Sequence, residues 1–108
     1  KRINMKVKLS VKDRLTVIAL LPNTGKMTDL VEVLELIKLL KFSDEERQRI
    51  KYREEGGKIY WDASKEKDNE YDINFEQIRI IKERITELDN ESKIDLGTLD
   101  TCLKFSKL

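Results

Sequence analysis

Ile50-Lys51-Tyr52-Arg53, Glu54-Glu55-Gly56-Gly57 and Lys58-Ile59-Tyr60-Trp61 read together as two alternating aromatic segments around a pair of glycines. Glycine adopts positive φ without steric cost, and the tight turns that match the twist of antiparallel strands need positive φ at their central positions. The spacing therefore predicts a β-hairpin over about 50–61, the strongest local signal in the chain.

Upstream, Ser43-Asp44-Glu45-Glu46 has the form of a capping box with acids in the first turn, which predicts a short helix feeding the hairpin. Before it, Leu30, Val33, Leu34, Ile37 and Leu40 recur on one helical face, with Thr28 as the expected cap. Val31, Leu36 and Leu39 widen that stripe, so the helix reads as the centre of the core or one side of an interface, and a homodimer is one use for it. Asn23-Thr24-Gly25-Lys26 is a turn, and Pro22 stops an earlier helix capped by Ser10 and Asp13, with Val11, Leu15, Ile18 and Leu21 facing inward. Met5-Lys6-Val7-Lys8-Leu9 alternates as a half-buried strand.

Downstream, residues 62–70 carry no large apolar side chain and are expected to form a mobile loop. Tyr71, Ile73 and Phe75 alternate as a short third strand, and Asn74 with Gln77 caps a helix on which Phe75, Ile78, Ile81, Ile85 and Leu88 repeat before Asp89-Asn90 ends it. Asp95 opens a last helix carrying Leu96, Leu99, Leu103 and Phe105 inward. The outcome is a single α+β domain over 1–108, mostly helical, with a small antiparallel sheet built around the hairpin. Residues 1–4 read as disordered or as a remnant upstream of a natural start at Met5.

The composition excludes much chemistry. The chain of 108 residues has no His and one Cys, so His-based acid–base catalysis, a Ser-His-Asp triad and the usual zinc sets are unavailable. Cys102 reads as a small buried hydrophobe. Gly25-Lys26 fails as a phosphate loop because Leu20 stands where a glycine is needed and Met27 where Ser or Thr is needed. Asp68, Glu70 and Asp72 fail as a calcium loop because Ile73 and Arg79 replace its glycine and its closing glutamate. No catalytic residue, metal, cofactor or small-molecule substrate is expected, and no apolar run is long enough to span a membrane.

Charge supplies the remaining signal. Lys and Arg total 22 against 21 Asp and Glu, a net +1, yet residues 1–14 carry six bases against Asp13, whereas 62–72 carry five acids against two lysines. Tyr52, Tyr60, Trp61 and Tyr71 lie among or near Arg47, Arg49, Lys51, Arg53 and Lys58, so the hairpin is an aromatic-basic surface. Such residues are enriched at the centres of protein interfaces, which makes Lys51, Tyr52, Arg53, Lys58, Tyr60 and Trp61 the candidate partner-binding set. An alternative follows from the order helix, helix, short helix, hairpin, which is that of a winged helix. In that case Lys6, Lys8, Arg47, Arg49, Lys51 and Arg53 would grip nucleic acid, with Asp44, Glu45 and Glu46 opposing it.

The runs Arg14-Leu15 through Leu20-Leu21-Pro22-Asn23-Thr24-Gly25, Phe42-Ser43-Asp44-Glu45-Glu46, Glu55-Gly56-Gly57-Lys58-Ile59-Tyr60-Trp61 and Ile85-Thr86-Glu87-Leu88-Asp89 resemble small uncharacterised proteins of bacteriophages and prophages. The resemblance covers most of the chain from about Met5 and brings no functional residues with it. It implies a phage origin, action in a bacterial cytoplasm or in a virion, and a role exercised through contacts.

Overall fold

The computed structural model describes residues 4–108. In chain order these form β1 (Asn4–Leu9), α1 (Val11–Leu20), α2 (Met27–Leu40), α3 (Asp44–Arg49), β2 (Arg53–Glu55), β3 (Lys58–Tyr60), a 3-10 turn (Ala63–Lys65), β4 (Asn69–Asn74), α4 (Phe75–Asn90) and α5 (Leu96–Ser106). The α+β class and the hairpin are as the sequence predicts. The expectation for residues 1–4 falls mostly on 1–3, outside the described residues; Asn4 is the first residue of β1.

The hairpin forms its own antiparallel sheet, β2 with β3, and the structure adds a second one that pairs β1 antiparallel with β4. The reason lies in burial. Val7, Leu9 and Ile73 are core residues, whereas every residue of β2 and β3 is exposed except half-buried Ile59. The long-range sheet forms where both strands have an apolar face to bury, and the hairpin closes only on its own turn, with Gly56 at φ 57° and Gly57 at φ 77°. Segment 62–70, expected as a mobile loop, contains the 3-10 turn and the first two residues of β4. Its Glu66 accepts from the backbone N–H of Val11 (3.0 Å), at the start of α1.

Capping decides the helix starts. Ser10 and Asp13 form a reciprocal box on α1. Asn74 and Gln77 form another on α4, and both also bond Glu32 of α2: Asn74 Nδ2 donates to its carboxylate (3.1 Å) and Gln77 Nε2 to its carbonyl (3.3 Å). Ser43 accepts from Glu46 N–H (3.1 Å), but the Glu46 carboxylate turns away to Arg14 instead of closing the box. Thr28 is not a cap, because α2 begins two residues earlier than that cap implies, at Met27 after Lys26, with no side-chain cap.

Four helix faces differ from the simple periodic reading. On α1, Val17 and Leu20 are core while Leu15 and Ile18 are half-buried, because the helix is packed on several sides and buries Asp13 and Arg14 as well. On α4, Phe75 is exposed and Ile80 is buried. On α5 the inward residues are Thr101, Cys102 and Phe105, leaving Leu96, Leu99 and Leu103 exposed. Burying Phe105 completely and bonding Thr101 Oγ1 to Asp13 Oδ1 (2.6 Å) sets that rotation. Leu36, read as a flank of α2, is 1% exposed, whereas Leu34, Val31 and Met27 face outward.

Candidate protein-docking surface

The hairpin stands on a small second core of Val11, Phe42 and Ile50, flanked by Leu15, Tyr52 and Trp61. What fixes this base is Arg14, which is 3% exposed. Its Nε and Nη2 donate to the Leu40 and Lys41 carbonyls at 3.0 Å each, capping the C-terminal end of α2. Its Nη1 and Nη2 donate to the Glu46 carboxylate at 2.5 and 3.0 Å, holding α3. Its guanidinium lies 3.9 Å from the Phe42 ring centroid and 5.4 Å from that of Tyr71. Paired, bonded and stacked in this way, the buried charge is fully compensated. Nothing in the sequence marks Arg14, because its partners lie 26 to 32 residues away.

Strand alternation then sorts the predicted partner-binding residues into two groups. Tyr52 and Trp61 are anchors. The Tyr52 ring packs 5.6 Å from Phe42 with the Arg47 guanidinium 4.5 Å from its centroid, and its hydroxyl donates to Glu54 (3.2 Å). Burial and the neighbouring Glu54 carboxylate push that phenol above its ordinary pKa. Trp61 is half-buried, its Nε1 donating to Glu66 (3.4 Å). Arg53, Lys58 and Tyr60 are on the exposed face: Tyr60 is 40% exposed, with the Arg53 guanidinium 4.9 Å from its ring centroid. Lys51 is exposed at the start of the hairpin, at φ 54°, a left-handed conformation that costs a lysine about 1 kcal/mol or more and turns the chain out of α3.

The other face of the hairpin closes a feature that sequence reasoning missed. Ile59 and Tyr52, with Leu15 and Ile18 of α1 and Ile37 of α2, line an apolar groove of about 310 Å³ whose rim carries Lys41 and Arg47. On the same helix, Leu34, one turn before Ile37, is 53% exposed, and Val31 and Met27 are exposed as well. The available signal was the excess apolar width of α2; what it could not reveal is which flank stays uncovered.

The residues of the nucleic-acid alternative do not share one element. Lys6 and Lys8 are on β1, opposite Asp72 and Glu70 of β4, while the other four are on α3 and the hairpin. Several have carboxylate neighbours: Lys6 with Asp72 (4.0 Å), Arg49 with Glu46 (3.7 Å) and Arg53 with Glu55 (3.2 Å).

Cys102 is buried, and burial pushes its thiol above the ordinary range. Among the described residues no group of three or more His, Cys, Asp or Glu side chains could hold a metal ion, and no helix is long and apolar enough to cross a membrane. No protein-family model, curated protein or solved structure matches the chain.

Proposed function

We propose that this protein is a non-enzymatic interaction module, an accessory or structural component encoded by a phage or prophage, that docks onto a larger protein in a bacterial cytoplasm or in a virion. The observation that carries the reading is the groove between α1, α2 and the hairpin, apolar along its walls and basic at its rim, together with exposed Leu34 and Val31 on the same helix α2. Such a surface suits an amphipathic segment with apolar residues at helical spacing and acids beside them. Tyr60 and Arg53, stacked on one another at the exposed face, are the aromatic-basic pair expected at the margin of the contact.

The test is affinity capture from the native host with the wild-type chain and with the exposed-residue variants Tyr60→Ala and Leu34→Asp. A protein recovered with the wild type and lost with Leu34→Asp supports the reading. Equal recovery with all three baits counts against it.

The order α1, α2, α3, hairpin favours one second reading, a winged-helix-like nucleic-acid binder. Fluorescence anisotropy with generic duplex and single-stranded DNA separates the two, since a binder that neutralises phosphates must lose affinity steeply as salt rises.

A further inference from the structure

Resting on the groove as the docking surface, we propose that Arg47 selects what enters it: the occupant is an acidic amphipathic helix of a partner protein, and one of its carboxylates closes on the Arg47 guanidinium.

The chain twice builds a complete set of this kind from its own residues. Arg14 lies 3.9 Å from the Phe42 ring centroid and forks onto the Glu46 carboxylate. Arg53 lies 4.9 Å from the Tyr60 centroid and pairs with Glu55 at 3.2 Å. The two contacts are compatible, because a guanidinium stacks through its flat face and donates to a carboxylate through its edge. Arg47 has only the first. Its guanidinium lies 4.5 Å from the Tyr52 centroid, and among the described residues no carboxylate pairs with it, whereas Arg14, Arg49, Arg53, Arg79 and Arg84 each have one at 3.7 Å or less. The acids close by in sequence are already engaged: Glu54 accepts from the Tyr52 hydroxyl, and Glu46 is held by Arg14.

Placement makes the open set a recognition element. Arg47 and Tyr52 line the apolar groove with Ile18, Ile37 and Ile59, and Lys41 stands on the same rim. Although acids are 21 of the 108 residues, no described acid lines this groove. A neutral apolar segment would leave both bases unanswered, and a nucleic-acid strand would leave the apolar walls unfilled. An acidic amphipathic helix answers both, with side chains a turn apart entering the groove and carboxylates beside them. At about 310 Å³ the groove takes side chains, not a whole helix, so the helix lies over its mouth with its acids level with the rim. The Tyr52 stack already orders the Arg47 side chain, which lowers the entropy lost on binding.

The experiment is isothermal titration calorimetry of the full chain with one alanine-based helical peptide in three versions, its leucines at i, i+3 and i+7 flanked by glutamate, by glutamine or by lysine. Wild type is expected to bind the glutamate version about tenfold more tightly than the glutamine version, to lose that margin at high salt and to reject the lysine version. Arg47→Gln is expected to lose most of the margin, and Arg47→Glu combined with Lys41→Glu to prefer the lysine version. Both positions are exposed, so circular dichroism should show these variants folded. Equal affinity of wild type for the glutamate and glutamine versions overturns the proposal, as does a margin unchanged in Arg47→Gln. Where that equal binding is abolished by Ala19→Phe, which fills the groove from an exposed position on α1, the docking surface stands and only its acid selectivity falls. Duplex DNA that displaces the glutamate version makes nucleic acid the occupant and overturns the proposal. Wild type that binds none of the three versions overturns the acidic-helix occupant, and the docking surface is then judged by capture from the host.

Discussion

Lys6 of β1 stands directly across the sheet from Asp72 of β4, its ammonium 4.0 Å from the carboxylate, and two residues on Lys8 stands across from Glu70. Two bases from the basic beginning of the chain and two acids from its acidic middle, which look like separate patches in the sequence, are thus neighbours on one solvent-facing surface. Their fields largely cancel at the range of a Debye length. We expect duplex DNA to bind the wild type weakly and with a shallow salt slope, and the double variant Glu70→Lys with Asp72→Lys to bind measurably more tightly at low salt. Anisotropy titrations at two ionic strengths check both; tight, steeply salt-dependent binding by the wild type would restore the nucleic-acid reading. The Lys6–Asp72 pair itself is exposed, so Lys6→Ala should change stability by less than about 1 kcal/mol.

Arg14 is the single side chain on which α1, α2, α3 and the base of the hairpin converge. Arg14→Ala leaves the Glu46 carboxylate, 13% exposed, with only the looser Arg49 contact at 3.7 Å, and takes the donor from two backbone carbonyls. Breaking a buried pair in this way costs about 3–5 kcal/mol. Arg14→Lys should recover little of it, because an ammonium cannot make the forked contact or stack flat on Phe42. Arg14→Met combined with Glu46→Met should be less damaging than Arg14→Ala. Urea unfolding monitored by circular dichroism measures all three.

Asp13 gives the fold a defined acid sensitivity. Burial pushes its carboxyl up, but hydrogen bonds from Lys104 Nζ, Thr101 Oγ1 and Ser10 N–H outweigh that and hold it below the ordinary carboxylate value. A carboxyl depressed in the folded state stabilises the protein above its unfolded pKa of about 3.9, and that contribution is lost as pH falls through the lower folded value. The stability gap between wild type and Asp13→Asn should therefore be full at pH 7 and narrow progressively below about pH 4. Urea midpoints across that range test the sign; a gap that widens on acidification would refute it.

Tyr60 and Trp61 are adjacent in sequence and should behave oppositely. Tyr60, at the exposed face, should tolerate alanine within about 0.5 kcal/mol. Trp61→Ala, removing a half-buried indole from beside Val11 and Ile50, should cost about 1–3 kcal/mol. Equal losses at the two positions would mean that the hairpin packs in some other way.

The hairpin was legible from its two glycines because a turn with positive φ at both centres has almost no other solution. The helix starts at Ser10, Ser43, Asn74 and Asp95 were legible because a cap is a matter of three or four neighbouring residues. The docking groove was legible only as surplus apolar width on α2. Tyr52 and Trp61 also anchor the hairpin, which the sequence did not show, since alternation tells which residues share a face but not which face meets Phe42.

By itself the amino-acid sequence determined the order of elements, most of their boundaries, the absence of histidine chemistry and the existence of one α+β domain, because all of these follow from composition or from interactions within a turn or two of chain. Tertiary structure alone decided that β1 pairs with β4 and not with the hairpin, that Arg14 is buried and that α5 turns its leucines outward. Those outcomes depend on contacts between residues 26 to 88 positions apart, such as Arg14 with Leu40 and Asp13 with Thr101, where one buried ion pair or one fully enclosed phenylalanine outweighs the local periodicity of a helix.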